Sequence, residues 1–276
     1  MRWPPPPDWP MAGHSQRVLL RPHRWHVQVA GDGPDLLLIH GAGGAAQSFR
    51  HLFPLLTDRF RVIAVDLPGQ GFTQCGAQRR LGLDAMAEDL VALCDHMGWR
   101  PAQIVGHSAG AAIALRMVEL GVEAAEVTAI NAALGNFRGV AGWLFPMLAR
   151  ALAATPLTSS VFASTVTPAK VHSLIAGTGS VLEAEGEALY LRLCRDTAHV
   201  DGTLSMMAQW SLDGLLRRLP QIDVPVHLIV GENDKAVPPD TSAEAASRLP
   251  AARLTRLAGL GHLAHEEDAA RIAALI

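Results

Sequence analysis

The chain has 276 residues, about half of them apolar, and 23 Lys and Arg against 26 Asp and Glu give a formal net charge of −3. That length suits one large core with at most a small accessory unit, and the near-neutral balance lacks the basic stripe of a nucleic-acid binder. Three cysteines, Cys75, Cys94 and Cys194, are odd in number, widely spaced and without a CxxC pair, so they read as reduced thiols of a cytoplasmic protein.

In chain order, residues 1–16 (MRWPPPPDWPMAGHSQ) carry a proline run and no apolar stretch of signal-peptide length, which predicts an extended arm packed on or trailing from the surface. RVLLRPHRWHVQV, Arg17 to Val29, predicts a hairpin punctuated by Pro22. LLLIHG, Leu36 to Gly41, and RVIAVDLPG, Arg61 to Gly69, are short apolar runs ending in glycine turns, as expected of strands buried on both faces. Phe49 to Leu56 between them predicts a helix. Leu83 to Met97 has helical apolar spacing, and strands follow at AQIVGHS, at AEVTAIN (Ala125 to Asn131) and at PVHLIVG. A short strand at Arg253 to Leu257 and a helix over 266–276 close the chain. Strands alternating with helices predict an α/β architecture with a mostly parallel, doubly wound sheet.

The alternation stops between Asn131 and Leu219, where nearly everything is helix-compatible. The expected organisation is therefore a core of 17–131 and 220–276, with a helical lid, 132–219, inserted after the strand ending at Asn131. No apolar run of about 18 residues is free of charges and breakers. The richest one, Val140 to Thr155, is interrupted by Pro146 and Arg150 and suits a buried helix, or one that touches a membrane surface peripherally.

Gly106-His107-Ser108-Ala109-Gly110 fits G-x-S-x-G at a strand-to-helix turn, the setting that exposes a serine hydroxyl above a sheet. A serine nucleophile needs a base, and the base an orienting acid; on this kind of sheet the chain order is serine, acid, histidine. Asp234, just beyond VHLIVG, and His262, in GLGHLAHEE, fall in that order at strand C-terminal ends. Glu232 competes for the acid role, but the turn more often presents the later carboxylate, and Asn131 offers none. His265 and Glu266 read as solvated polar groups at a helix start. His262 and His265 are spaced like a metal pair but lack a third ligand nearby, so neither a metal nor a cofactor is expected. His40-Gly41-Ala42-Gly43-Gly44 is a tight loop able to aim a backbone N–H at a substrate carbonyl. The N–H groups of Ala42 and Ala109 would form an oxyanion hole, worth roughly 3–4 kcal/mol per donor. A phosphate-cradling loop is the alternative, and its spacing fits the GxGxxG fingerprint poorly.

LLLIHGAGG, DLPGQGFT, VGHSAGAAIALRM, GENDKAVPP and GLGHLAHEE together resemble the α/β-hydrolase superfamily over nearly the whole chain. With RWHVQVAG, INAAL and LIAGTGS, the chain is similar more narrowly to the α/β hydrolase of bacteriochlorophyll biosynthesis, the magnesium chelatase accessory protein family. The family's serine, aspartate and histidine match Ser108, Asp234 and His262, the aspartate being followed by Val237-Pro238. The resemblance implies a photosynthetic pigment pathway, a tetrapyrrole substrate such as a magnesium porphyrin intermediate, and magnesium chelatase subunits as partners. Bulky lid residues Phe137, Trp143, Phe145, Met147, Met206, Met207 and Trp210 suit a broad apolar pocket as well as ordinary packing. Two functions follow as expectations: a serine hydrolase cleaving an ester or related carbonyl, and a non-catalytic carrier or chelatase accessory on the same scaffold. Cofactor-free oxygenase chemistry fits the scaffold too, whereas a serine at the elbow disfavours aspartate-nucleophile chemistry.

Overall fold

The computed structural model describes residues 1–135 and 157–276. Eight strands form one sheet in the spatial order β1-β2-β4-β3-β5-β6-β7-β8. β1 (Ser15–Leu20) and β2 (His23–Ala30) make the expected hairpin, and β2 pairs antiparallel with β4 (Arg61–Val65). β3 (Asp35–Ile39), β4, β5 (Pro101–His107), β6 (Glu126–Ile130), β7 (Val226–Gly231) and β8 (Ala252–Leu257) run parallel, so their C-terminal ends share one edge.

The continuous apolar strands follow from cover on both faces. Along β3, Leu37 and Ile39 pack into one core cluster while Leu36 and Leu38 pack into another. The first cluster is completed by α2 (Leu83–Met97) and α3 (Ala109–Glu119), through Met86, Leu90, Ile113 and Leu115. The second is completed by Phe53 of α1 (Leu52–Leu56) and Ile272 near the C-terminal end. Each such fully buried side chain contributes about 1.5–3 kcal/mol. α2 stops at Gly98, whose left-handed φ of 68° lets its own N–H cap Asp95 O and the Trp99 N–H cap Cys94 O.

Between β6 and β7 the described residues hold α4 (Thr158–Thr165), α5 (Pro168–Gly177), α6 (Ala184–Cys194), α7 (Thr197–Gln209) and α8 (Asp213–Arg218), and no strand. Local signals start two of them: Thr167 caps α5 ahead of Pro168, and the Asp196 carboxylate accepts the His199 N–H at the head of α7.

Two local expectations need correction. The helix expected over 49–56 is a 3₁₀ turn, Ala46–Phe49, followed by the short α1, because the Asp66 carboxylate takes the Ala46 N–H and fixes the turn first. The last helix begins earlier than 266 and is split into α10 (Ala264–Glu267) and α11 (Ala269–Ala273), Asp268 leaving helical geometry to cap the Arg271 N–H. The N-terminal arm is packed and does not trail: Trp9 is buried, edge-on to Phe72 at 5.1 Å, and clusters with Leu189 and Leu193 of α6. α9 (Pro239–Ala246) fills a stretch the apolar pattern had left unread.

Candidate active site

Ser108 stands between β5 and α3 with φ 53° and ψ −116°, a conformation that costs a non-glycine residue about 1–3 kcal/mol. Its surroundings impose it: the Ser108 N–H donates to Ile130 O at 2.9 Å, and Ser108 O accepts from Ala111 N–H and Ala133 N–H. The flanking glycines are steric necessities. A Cβ on Gly110 would strike the carbonyl oxygens of Ile39 and His40, and one on Gly106 would strike the first turn of α3. The loop after β3 approaches just as closely, since a Cβ on Gly41 would lie 2.9 Å from the Ser108 Cβ.

The hydroxyl of half-buried Ser108 lies 3.1 Å from His262 Nε2, and His262 Nδ1 lies 2.8 Å from Asp234 Oδ2. Asp234 is buried, and both its oxygens are taken as acceptors. Oδ1 receives the N–H groups of Ala236 and Val237 at 2.8 Å each, and Oδ2 receives Asn131 Nδ2 at 2.7 Å beside the imidazole. A carboxylate filled in this way takes the Nδ1–H of His262, which leaves Nε2 as the lone pair facing Ser108 Oγ. Asn131, in a left-handed conformation at the end of β6, thus serves the acid it was unable to replace. Glu232, the competing acid, is exposed.

The loop 40–44 is held from two sides. His40 Nδ1–H donates to Gly41 O at 2.7 Å and its Nε2 accepts the Leu67 N–H, while burial lowers its pKa and keeps the ring neutral. Gln70 accepts the Gly43 N–H at 2.8 Å. His199 on α7 accepts the Gly71 N–H and donates to Gly43 O, with burial taking its pKa down to about 4. Behind the loop, burial alone would raise the Asp66 carboxyl, but His26 at 2.6 Å and the amides of Ala46 and Phe72 hold it at about 2. Ala42 at the tip is exposed, and neither its N–H nor that of Ala109 has an acceptor among the described residues.

His265 and Glu266 are corrected from solvated to buried. The turn after His262 directs them into the core, where His265 stacks between His107 (centroids 4.4 Å) and Phe49 (5.2 Å). Neither His265 ring nitrogen has a hydrogen-bond partner among the described residues, and Glu266 pairs with Arg50 and accepts the Tyr190 hydroxyl at 2.8 Å. Among the described residues no group of three His, Cys, Asp or Glu could hold a metal ion.

Burial, with His262 and Arg50 nearby, takes the His265 pKa down to about 3, against 6.5 for an exposed imidazole. The folded state then binds fewer protons than the unfolded chain, so this contribution is full above pH 6.5 and is lost as pH falls toward 3. His40, His107 and His199 act in the same direction. Glu266 opposes them, because burial raises its carboxyl to about 7 and its contribution is lost as pH rises through that value. Four imidazoles outweigh one carboxyl, so the urea midpoint should fall between pH 7 and pH 5. The fall should be smaller in His265→Phe; an equal fall would show that His265 does not carry it.

Of the residues expected to contact a substrate, Phe137, Trp143 and Phe145, and also Met147, lie outside the described residues, as does the apolar run 140–155. Met206 is buried with its sulfur against Gln70 Nε2, Met207 is half-buried, and Trp210 packs on the first core cluster. No described helix is long and apolar enough to cross a membrane. Two residues that sequence reasoning missed are Asn131 and Ser180, whose Oγ accepts the Leu263 N–H at 2.8 Å. A polar residue closing an otherwise apolar strand was the available signal for Asn131; Ser180, 82 positions from the loop it holds, had none.

A family model described as alpha/beta hydrolase fold matches residues 34–269. The magnesium-chelatase 30 kDa subunit of Rhodobacter capsulatus is 46% identical over 274 residues, covering 98% of this chain and 96% of that protein. A pimeloyl-[acyl-carrier protein] methyl ester esterase from Methylococcus capsulatus is 27% identical over 254 residues, or 89% of this chain and 95% of its own. Among solved structures, an alpha/beta hydrolase fold protein from Burkholderia ambifaria superposes with a TM-score of 0.79 at 24% identity, over 94% of this chain and 96% of that one.

Proposed function

From a chain that belongs to the alpha/beta hydrolase fold family, and within it to the family of the magnesium-chelatase 30 kDa subunit, we propose a serine hydrolase of bacteriochlorophyll biosynthesis. Its substrate is an ester or related carbonyl of a hydrophobic tetrapyrrole. The observation that carries the reading is the continuous hydrogen-bonded chain from Ser108 Oγ through His262 to Asp234. A pure carrier has no physical need for a strained serine, an imidazole facing it and a filled carboxylate behind it.

In this mechanism Ser108 Oγ attacks the substrate carbonyl carbon while its proton passes to His262 Nε2. Asp234 holds the imidazole and stabilises the imidazolium, and the N–H groups of Ala42 and Ala109 receive the oxyanion. His262 then returns the proton to the leaving alcohol. Water, activated by the same imidazole, releases the acyl group as an acid and frees Ser108. The helical stretch between β6 and β7 acts as the lid that selects what reaches Ser108, with Met207 and Trp210 on its apolar side.

The second reading, a non-catalytic accessory of magnesium chelatase, draws on the name of the 46% identical relative. The two readings separate on a magnesium porphyrin carrying a carboxylic methyl ester. The hydrolase should quench its tryptophan fluorescence saturably and release the free acid over time. Saturable quenching with no acid released is the accessory's result; no quenching at all argues against a tetrapyrrole ligand in either reading.

A further inference from the structure

The stretch from Thr178 to Tyr190 is bonded to both loops that carry Asp234 and His262. Thr178 O accepts the N–H of Lys235, the residue after Asp234, at 3.0 Å. Buried Ser180 accepts, through Oγ, the N–H of Leu263, the residue after His262, at 2.8 Å. Gly179, with φ 83°, fits between these loops because it lacks a side chain: a Cβ there would strike Asn233 O, and a Cβ on Gly261 would strike Gly179. Further along, Glu183 takes Arg50 Nε at 3.2 Å and Nη2 at 2.5 Å, and Arg50 Nη1 reaches buried Glu266. Glu266 accepts the Tyr190 hydroxyl, so α6 is tied to the helix turn that follows His262.

The backbone around His262 is also held from the sheet side, where Asn131 Nδ2 donates to Gly261 O at 3.3 Å and the Asn233 N–H to Leu260 O at 2.9 Å. His107 Nε2–H donates to His262 O at 2.9 Å, and the Glu267 carboxylate accepts the Gly261 N–H. Both come from the core, whereas Ser180 and Tyr190 come from the helical stretch between β6 and β7. The proton-transfer steps use neither of them.

We infer that Ser180 and Tyr190 are positioning residues, holding the His262 loop from the lid side so that Nε2 stays within reach of Ser108 Oγ. This rests on the hydrolase reading, since it gives the loop a reason to be held. Freeing the Leu263 N–H lets the imidazole drift, and a displacement near 1 Å costs about 10²-fold in rate.

Ser180→Ala and Tyr190→Phe each remove one bond and leave size nearly unchanged. The test compares their inactivation by a fluorophosphonate across pH with wild type, counting only folded protein, alongside the downfield proton resonance of His262 Nδ1–H. The expected result is a 10- to 100-fold slower inactivation in Ser180→Ala, a smaller loss in Tyr190→Phe, a displaced pH midpoint and a broadened resonance in both. A lower melting temperature with unchanged rate, midpoint and resonance would make both residues merely structural and overturn the inference. If wild type itself fails to react, the hydrolase reading falls separately. The resonance then decides alone: unchanged in both variants, it overturns the positioning role.

Discussion

Replacing Ser108 with alanine should cut turnover of an activated ester by about 10⁵-fold or more, leaving only what the oxyanion donors and binding supply. The fall should appear in kcat with KM nearly unchanged, because the hydroxyl contributes to the transition state far more than to binding. Melting should move little: alanine inherits the same φ of 53°, and among the described residues the hydroxyl gives up a single contact, that with His262 Nε2. Steady-state rates beside a thermal melt check both parts. Retained turnover in folded Ser108→Ala would move the chemistry to another group.

Asp234→Asn should cost about 10⁴-fold in kcat, for a reason specific to this site. Oδ1 faces two backbone N–H donors, Ala236 and Val237, so an asparagine must place its own oxygen there. Its NH₂ then occupies the Oδ2 position, facing Asn131 Nδ2 and His262 Nδ1. His262 escapes the donor–donor clash by moving its proton to Nε2, where it can no longer accept one from Ser108. Asn131 can accept from the new NH₂ only by turning its amide, which gives up its bond to Gly261 O, so the variant should also unfold at a lower urea concentration. Asn131→Ala, which removes one donor and leaves the tautomer intact, should lose far less activity. Equal losses in the two variants would show that packing around the carboxylate, not the tautomer, is what matters.

The sheet was legible in the sequence because strands buried on both faces are continuous apolar runs, and LLLI, VIAV and HLIV can hardly be read otherwise. G-x-S-x-G was legible for a steric reason that the structure makes explicit, since Gly106 and Gly110 leave no space for a Cβ. The order of Ser108, Asp234 and His262 pointed to one sheet edge, and the parallel register brings them there. What stayed hidden depends on contacts between distant segments. His265 and Glu266 look like an exposed helix start until distant segments cover them, Arg50 and Tyr190 pairing Glu266 while His107 and Phe49 pack against the His265 ring. The helix expected over 49–56 is cut back to Leu52–Leu56 because the carboxylate at position 66 takes the Ala46 N–H and sets a 3₁₀ turn ahead of it. The hold that Ser180 places on the histidine loop carries no local pattern at all, and that of Asn131 shows only as a polar residue closing an apolar strand.

The most direct test of a live Ser108 is exposure of the folded wild-type protein to a small fluorophosphonate, followed by peptide mass analysis. One adduct is expected, on the peptide containing Ser108, absent in Ser108→Ala and formed far more slowly in Asp234→Asn. A folded wild type that carries no adduct on Ser108 after prolonged exposure to excess probe would contradict the hydrolase and leave the accessory role standing.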